Sequence, residues 1–341
     1  MRTTVTLGST GITVNKNGFG ALPIQRIDTE DAGALLKKAY EHGINFFDTA
    51  RFYTDSEEKI GKALSSVREH IVLATKTGAQ NAEDFWKDLE TSLSLLQTDY
   101  IDIYQFHNPA FCPKPGDGTG LYEAVTEAKR LGKVRHIGIT NHRLAVAEEA
   151  VESGLYETLQ FPFNYLSTDR ELALVEGCRR KNMGFIAMKA LSGGLITNSA
   201  AAYAYQAEFE NVEPIWGIQR ESELDEFLSY IDNPPAMTQE LQAVIAQDKK
   251  ELAGNFCRGC GYCMPCPAGI EINTCARMSL LLRRAPSDLQ LTEQMQEKMK
   301  KIEDCLHCGK CMSKCPYGLH TPQLLEENYK DYKEVLAGKP L

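Results

Sequence analysis

No stretch of this 341-residue chain approaches an apolar run of about 18 residues, so no transmembrane helix is expected. The start, Met1-Arg2-Thr3-Thr4-Val5-Thr6, lacks the apolar core of a secretory signal, and the expected compartment is the cytoplasm. Positive charge is in deficit. The chain has 37 Lys and Arg against 46 Asp and Glu, a formal net charge of −9. That argues against nucleic acid or an anionic membrane as the main partner. Gly18-Phe19-Gly20 runs into Ala-Leu-Pro and lacks the third glycine and the helix of a Rossmann dinucleotide loop. No Cys-x2-Cys-His occurs, which excludes haem attachment. Cysteine is sparse over the first 250 residues, where Cys112 and Cys178 lie alone.

Apolar runs and helical patterns alternate strictly between them. Residues 3–7 and 12–14 read as a hairpin around Gly8-Ser9-Thr10-Gly11. Strands follow at 18–22, 44–47, 70–75, 101–106, 134–139, 156–161, 183–188 and 213–218. Between and after them come helices at 28–42, 56–64, 82–96, 120–131, 143–152, 168–181, about 198–208 and 221–231. Eight strand–helix pairs predict an α/β fold with a parallel sheet closed into a (β/α)8 TIM barrel, plus the N-terminal hairpin. Asn233-Pro234-Pro235 ends the last helix, and a polar helix over 238–253 leads to a region of different composition.

Polar residues stand at the ends of three consecutive strands. Asp48 ends the second, with Tyr53 in the loop behind it. Lys76 closes the third and His107 the fourth. In a parallel barrel these ends share the face that carries the active site. Tyrosine is a weak acid in water, with a pKa of about 10. A neighbouring ammonium stabilises its phenolate and makes proton donation to a developing alkoxide feasible. Lys76 is the candidate ammonium and Asp48 its counter-charge; His107 is placed to polarise a carbonyl. Any one of these residues alone reads more readily as a satisfied polar group. Four complementary groups at three neighbouring strand ends favour the reduction of a carbonyl or the oxidation of an alcohol.

The segments Phe47-Asp48-Thr49-Ala50 with Tyr53 and Ser56-Glu57, Ala74-Thr75-Lys76, and Asp102-Ile103-Tyr104-Gln105-Phe106-His107-Asn108-Pro109 resemble the catalytic segments of the aldo/keto reductase family. Gly138-Ile139-Thr140-Asn141 and Gln160-Phe161-Pro162-Phe163-Asn164 continue the resemblance, which covers residues 1 to about 232. It implies hydride transfer between NADP(H) and a small carbonyl or alcohol, with Asp48, Tyr53, Lys76 and His107 catalytic. It also implies that Asn141 and Gln160 hold the nicotinamide carboxamide. Met188 stands where the family usually has an aromatic ring against the nicotinamide, and Lys189 beside it could meet the pyrophosphate. The turn at Gly217 and Arg220 matches the place that binds the adenosine 2′-phosphate, where Glu221 and Glu223 oppose Arg220.

The remaining nine cysteines are crowded into 257–315. Cys305-x2-Cys308-x2-Cys311-x3-Cys315-Pro316 is the bacterial ferredoxin run for a [4Fe–4S] cluster. Cys257-x2-Cys260-x2-Cys263-x2-Cys266-Pro267 is a near-copy, one residue short before its last cysteine. The crossing rule gives one cluster Cys257, Cys260, Cys263 and Cys315, and the other Cys305, Cys308, Cys311 and Cys266. The short spacing leaves Cys275 as a substitute for Cys266. A zinc site on two Cys-x2-Cys pairs is the alternative, and it leaves the other cysteines and both prolines unexplained. Helices are expected over 274–284 and 288–303, and a charged tail helix without an obvious large core over 321–337. Metal ligation is expected to supply much of this region's folding energy. The whole chain resembles a branch of the family with a C-terminal two-cluster ferredoxin-like extension. The expected domains are a barrel at 1–233, a linker helix at 234–254 and an iron–sulfur domain at 255–341. Three readings stand: a carbonyl reductase with structural clusters, an electron-transfer reductase fed by a ferredoxin or another redox partner, and a non-catalytic iron–sulfur scaffold. The intact tetrad opposes the third. The second lacks a flavin motif to convert single electrons into hydride.

Overall fold

The hairpin that opens the chain pairs β1 (Thr4–Thr6) antiparallel with β2 (Thr13–Asn15), and buries Val5 opposite Val14. These residues come from a computed structural model that describes residues 3–252, 256–284 and 287–340. Eight parallel strands follow: β3 (Gly18–Gly20), β4 (Phe46–Asp48), β5 (Val72–Thr77), β6 (Ile101–His107), β7 (Val134–Thr140), β8 (Thr158–Pro162), β9 (Gly184–Met188) and β10 (Val212–Gly217). They close in chain order, with β10 beside β3, into the expected barrel. Between and after the strands run α1 (Thr29–Glu41), α2 (Ser56–Leu64), α3 (Ala82–Leu96), α4 (Leu121–Arg130), α5 (Leu144–Ser153), α6 (Asp169–Arg180), α7 (Ser199–Ala207) and α8 (Glu221–Asp232).

Local chemistry sets these helices. Asp28 caps α1 by accepting the Asp31 amide at 2.8 Å, and Asn81 caps α3 by accepting the Asp84 amide at 2.9 Å. The stripe Phe85, Leu89, Leu93 and Leu96 of α3 is buried, as its helical spacing requires. Val5, Leu7 and Val14 of the hairpin region pack with Phe46, Ala74, Ile103 and Ile186, so the hairpin plugs the barrel end opposite the strand C-termini. The C-terminal ends are thereby the ones available for chemistry.

The chain divides into two compact units, residues 1–190 with 200–239, and residues 191–199 with 240–341. The composition break near 254 lies outside the described residues, as does the end of the helix expected over 238–253. Its described part is α9 (Gln239–Glu251). Among the described residues no helix is long and apolar enough to cross a membrane.

The second unit differs from expectation in three ways. The run 274–284 is two helices, α10 (Ile272–Cys275) and α11 (Met278–Arg284). The run 288–303 is also broken, into α12 (Ser287–Gln290), α13 (Glu293–Lys300) and a 3₁₀ turn at Lys301–Asp304. Short α14 (Lys310–Ser313) and the tail helix α15 (Thr321–Leu336) complete it. The tail helix is not a solvated appendage. Its Leu325, Tyr332 and Val335 are buried with Ile270, Ile272, Met278, Leu282, Met299 and Ile302 in one apolar core. Metal ligation is therefore not the sole source of order in this unit, since burial of these side chains contributes as well.

Candidate active site

Register decides what meets at the barrel mouth. Gly20 of β3 pairs with Asp48, Lys76 of β5 with Gln105, and Thr140 of β7 with Gln160. Asp48 and Lys76 are almost fully buried, at 2% and 1% exposure. The Lys76 ammonium donates to both Asp48 oxygens, at 2.8 and 2.7 Å, and to the Thr49 carbonyl. Burial disfavours the charge on both partners, raising the pKa of Asp48 and lowering that of Lys76, and their mutual attraction offsets part of each shift.

Tyr53 is carried by the loop after β4. Its ring lies over the pair, with the Lys76 nitrogen 5.3 Å from the ring centroid. The His107 ring meets that of Tyr53 edge-on, with centroids 5.9 Å apart. Burial, with the Lys76 charge adding to it, pushes His107 down to about 3, so its imidazole is neutral. Its buried Nδ1 has no hydrogen-bond partner among the described residues. The four residues expected from the sequence thus share one floor. The loop that carries Tyr53 is fixed from below. Thr75 donates to Glu57 at 2.6 Å, Arg51 pairs with Glu57, and the Thr49 and Ser56 hydroxyls lie 2.8 Å apart.

Gln105 was missed by the sequence reading. It is fully buried, and its Nε2 donates to Gln160 Oε1 at 2.8 Å and faces Asp48 Oδ1 at 3.5 Å. Gln160 Nε2 faces the other Asp48 oxygen at 3.4 Å. Gly138 makes room for this layer, because a Cβ there would stand 2.9 Å from Gln105 Cγ. A signal existed: Gln105 is two residues before His107 on one strand and so shares its face.

The expected nucleotide residues are less uniformly disposed. Asn141 is buried; its Oδ1 accepts the His142 and Arg143 amides at 2.9 and 2.8 Å and its Nδ2 donates to the Pro109 carbonyl at 2.8 Å, so one amide hydrogen remains for a ligand. Met188 ends β9, with the Thr140 hydroxyl 4.0 Å from its sulfur. Lys189 follows in the left-handed region, at φ 59°. Gly217 ends β10 opposite Gly20. The Gln219 and Arg220 amides, in the turn matched to the 2′-phosphate site, donate to the Glu223 carboxylate at 3.0 and 3.1 Å. The Arg220 guanidinium stands 3.6 Å from the same carboxylate. Glu221 is drawn off to Lys38 at 2.6 Å.

In the second unit the cysteines ring two cavities. Cys257, Cys260, Cys263 and Cys315 line one, with Tyr317 and Leu324 in its wall. Cys266, Cys305, Cys308 and Cys311 line the other, which Cys263 also borders. Among the described residues no three His, Cys, Asp or Glu side chains close on one point as the ligands of a single metal ion do. Cys275 lines neither cavity; its thiol is directed at the Lys298 carbonyl, 3.6 Å away, and burial pushes it up to about 12.

The family model for aldo/keto reductases matches residues 15–246, two thirds of the chain. The chain belongs to the aldo/keto reductase family. A model for a 4Fe-4S dicluster domain matches residues 256–320 of this family member. L-galactose dehydrogenase of Arabidopsis thaliana is 33% identical over 210 residues, covering 56% of this chain and 66% of that one. The chain spans about two thirds of the length of such curated relatives, 66%, 70% and 62% in three cases. Among solved structures, an aldo-keto reductase of Bacillus halodurans in its holo form superposes with a TM-score of 0.64 at 21% identity, over 73% of this chain and 96% of that one. An aldo/keto reductase of Klebsiella pneumoniae, solved with NADP and acetate, gives 0.62 at 21% identity over 72% and 95%.

Proposed function

We propose that this family member transfers hydride between NADP(H) and a small carbonyl or alcohol, with Tyr53 as proton donor and two [4Fe–4S] clusters in its C-terminal domain. The observation that carries the reading is the Lys76 ammonium clamped by both Asp48 oxygens beneath the Tyr53 ring, with a neutral His107 alongside. NADPH, when bound, supplies the hydride. Neutral His107 donates a hydrogen bond to the substrate oxygen and aligns it. Tyr53 passes its phenolic proton to that oxygen as negative charge develops there, and Lys76 stabilises the phenolate left behind. Asp48 keeps Lys76 in place, and the low polarity of its surroundings strengthens both interactions. The direct experiment is substrate-dependent NADPH oxidation by anaerobically purified protein, screened over small aldehydes and ketones. No turnover of any carbonyl, with NADPH bound, would count against it.

The nicotinamide end fits the residues present, since Asn141 retains a donor beside Gln160 on a buried polar floor. Met188 would pack on the ring, Lys189 would meet the pyrophosphate, and Gly217 and Arg220 would flank the adenosine phosphate. The adenosine end carries an obstacle, because Glu223 takes the two amides there. Glu223→Ala is therefore expected to tighten NADPH about two- to fivefold and to leave NADH little changed, the size of one charge at a helix N-terminus. Arg220→Ala should weaken NADPH alone. Fluorescence titration with both nucleotides checks this, and equal shifts for the two would show that the 2′-phosphate does not lie at this turn.

Four cysteines line the first cavity, and four besides the shared Cys263 line the second, the complement of one cubane each, which supports one cluster on Cys257, Cys260, Cys263 and Cys315 and one on Cys266, Cys305, Cys308 and Cys311. In this reading the barrel spans 1–233, the linker 234–254 and the cluster domain 255–341. Anaerobic protein should hold about eight iron atoms. Cys266→Ala should lose up to about four of them. Cys275→Ala should lose none, and iron loss there would move the ligand assignment to Cys275.

A further inference from the structure

The two cysteine cavities are similarly enclosed and differ in the exposure of one thiol-bearing residue, Cys308. The first is walled by Tyr317, Leu319, Leu324 and Arg258, and the Arg258 guanidinium lies 4.7 Å from the Tyr317 ring centroid. The second is edged by the loop Cys305-Leu306-His307-Cys308-Gly309. There Leu306 is 65% exposed, His307 is exposed, and Cys308 is the one cysteine of the described eleven classed as exposed. Leu306 and His307 border this cavity with Cys305 and Cys308 and are also exposed to solvent, and His307 adopts φ 47°.

The charge around this loop runs against the rest of the chain. Lys310 and Lys314 are exposed and make no ion pair among the described residues, and His320 is exposed nearby in sequence. Of the acids before the loop, Asp304 is held by Lys301 at 3.0 Å, and Glu303 accepts the Tyr329 hydroxyl at 2.9 Å. Across the loop, Glu326 lies 4.0 Å from His307. A segment with three lysines against two acids over 301–320 is locally positive in a chain of formal net charge −9. An exposed leucine beside a thiol-lined cavity, on a segment that carries two lysines unpaired among the described residues, is a small apolar contact point with electrostatic guidance.

We propose that the Leu306–Lys314 face is the docking surface for a small acidic one-electron carrier, and that the cluster held by Cys266, Cys305, Cys308 and Cys311 is its exchange point. One electron passes from the reduced carrier to the oxidised cluster, with no bond made or broken and no proton moved. Cys263 borders both cavities, so the two cysteine sets are adjacent. The inference rests on the two-cluster reading, which iron content tests separately.

The test uses the full reconstituted chain and an acidic plant-type [2Fe–2S] ferredoxin as probe. Binding of the oxidised ferredoxin is measured by calorimetry at low and high salt, and electron entry from the reduced form by stopped-flow absorbance. Wild type should bind, more weakly as salt rises. Lys310→Glu with Lys314→Glu should weaken binding and slow electron entry by at least about tenfold at low salt, and flatten the salt dependence. Leu306→Ser should weaken binding and keep the salt slope. Iron content, dithionite reduction of the clusters and NADPH-linked carbonyl reduction should match wild type in these variants. No binding by wild type, or unchanged binding and rates after charge reversal with iron intact, would overturn the proposal. Tighter binding after charge reversal would do the same.

Discussion

Tyr53→Phe is expected to lower kcat by about 10²–10⁴-fold, the usual contribution of a positioned acid, with NADPH affinity unchanged. The phenol is the group of the set best suited to give up a proton at the mouth. Asp48 and Lys76 are sealed in their mutual clamp, and His107 is held neutral by burial. The Phe variant keeps the ring that lies over Lys76 and meets His107, so packing should survive. Stopped-flow single turnovers separate the chemical step from product release and are the proper readout. A Phe variant with wild-type turnover and an unaltered pH profile would remove Tyr53 from the mechanism.

Lys76→Met should cost about 3–5 kcal/mol of stability, because it leaves the Asp48 carboxylate buried without its counter-charge. The pH dependence of that loss has a definite sign. Desolvation is the largest influence on Asp48, and it raises the pKa. Without Lys76 the folded-state pKa of Asp48 stands still further above its unfolded value. A group raised on folding contributes stability at low pH and loses it as pH rises through the folded value. The Lys76→Met variant should therefore regain stability on acidification toward the ordinary carboxylate range. Removing both charges, as Asp48→Leu with Lys76→Met, should restore much of the fold at neutral pH and none of the activity. Urea unfolding at several pH values checks all three statements. A single variant as stable as wild type at neutral pH would show that the pair is not the buried clamp described.

Much of this molecule is written in local patterns. The barrel follows from short apolar runs in alternation with helical repeats, and the tetrad from polar residues at or just beyond the ends of apolar runs at a shared face. What escaped the sequence reading depends on partners distant in the chain. Asn328 of α15 donates to the Ala276 carbonyl and accepts the Ser279 amide, so it caps the break between α10 and α11 from about 50 residues away. No local signal reports that. The break before α13 did carry one, since Thr292 accepts the Met295 amide as an ordinary N-cap. The stripe Leu325, Tyr332 and Val335 of α15 is interrupted by buried Asn328, and this disguised its role in the core of the second unit. Glu223 was read as opposing a phosphate through its charge alone. Its effect is stronger in the fold, where it takes the amides of Gln219 and Arg220 for itself.

The central claim is that hydride reaches the carbonyl at the floor formed by Asp48, Tyr53, Lys76 and His107. It is tested most directly by a single turnover with NADPH deuterated at the transferable position, in anaerobic protein with its iron intact. The expected result is deuterium on the carbinol carbon of the product, in one stereochemical sense, with the rate of that step falling in Tyr53→Phe. Product free of deuterium, formed only when dithionite or a reduced ferredoxin is supplied, would contradict the claim and make the clusters, not the nucleotide, the source of electrons.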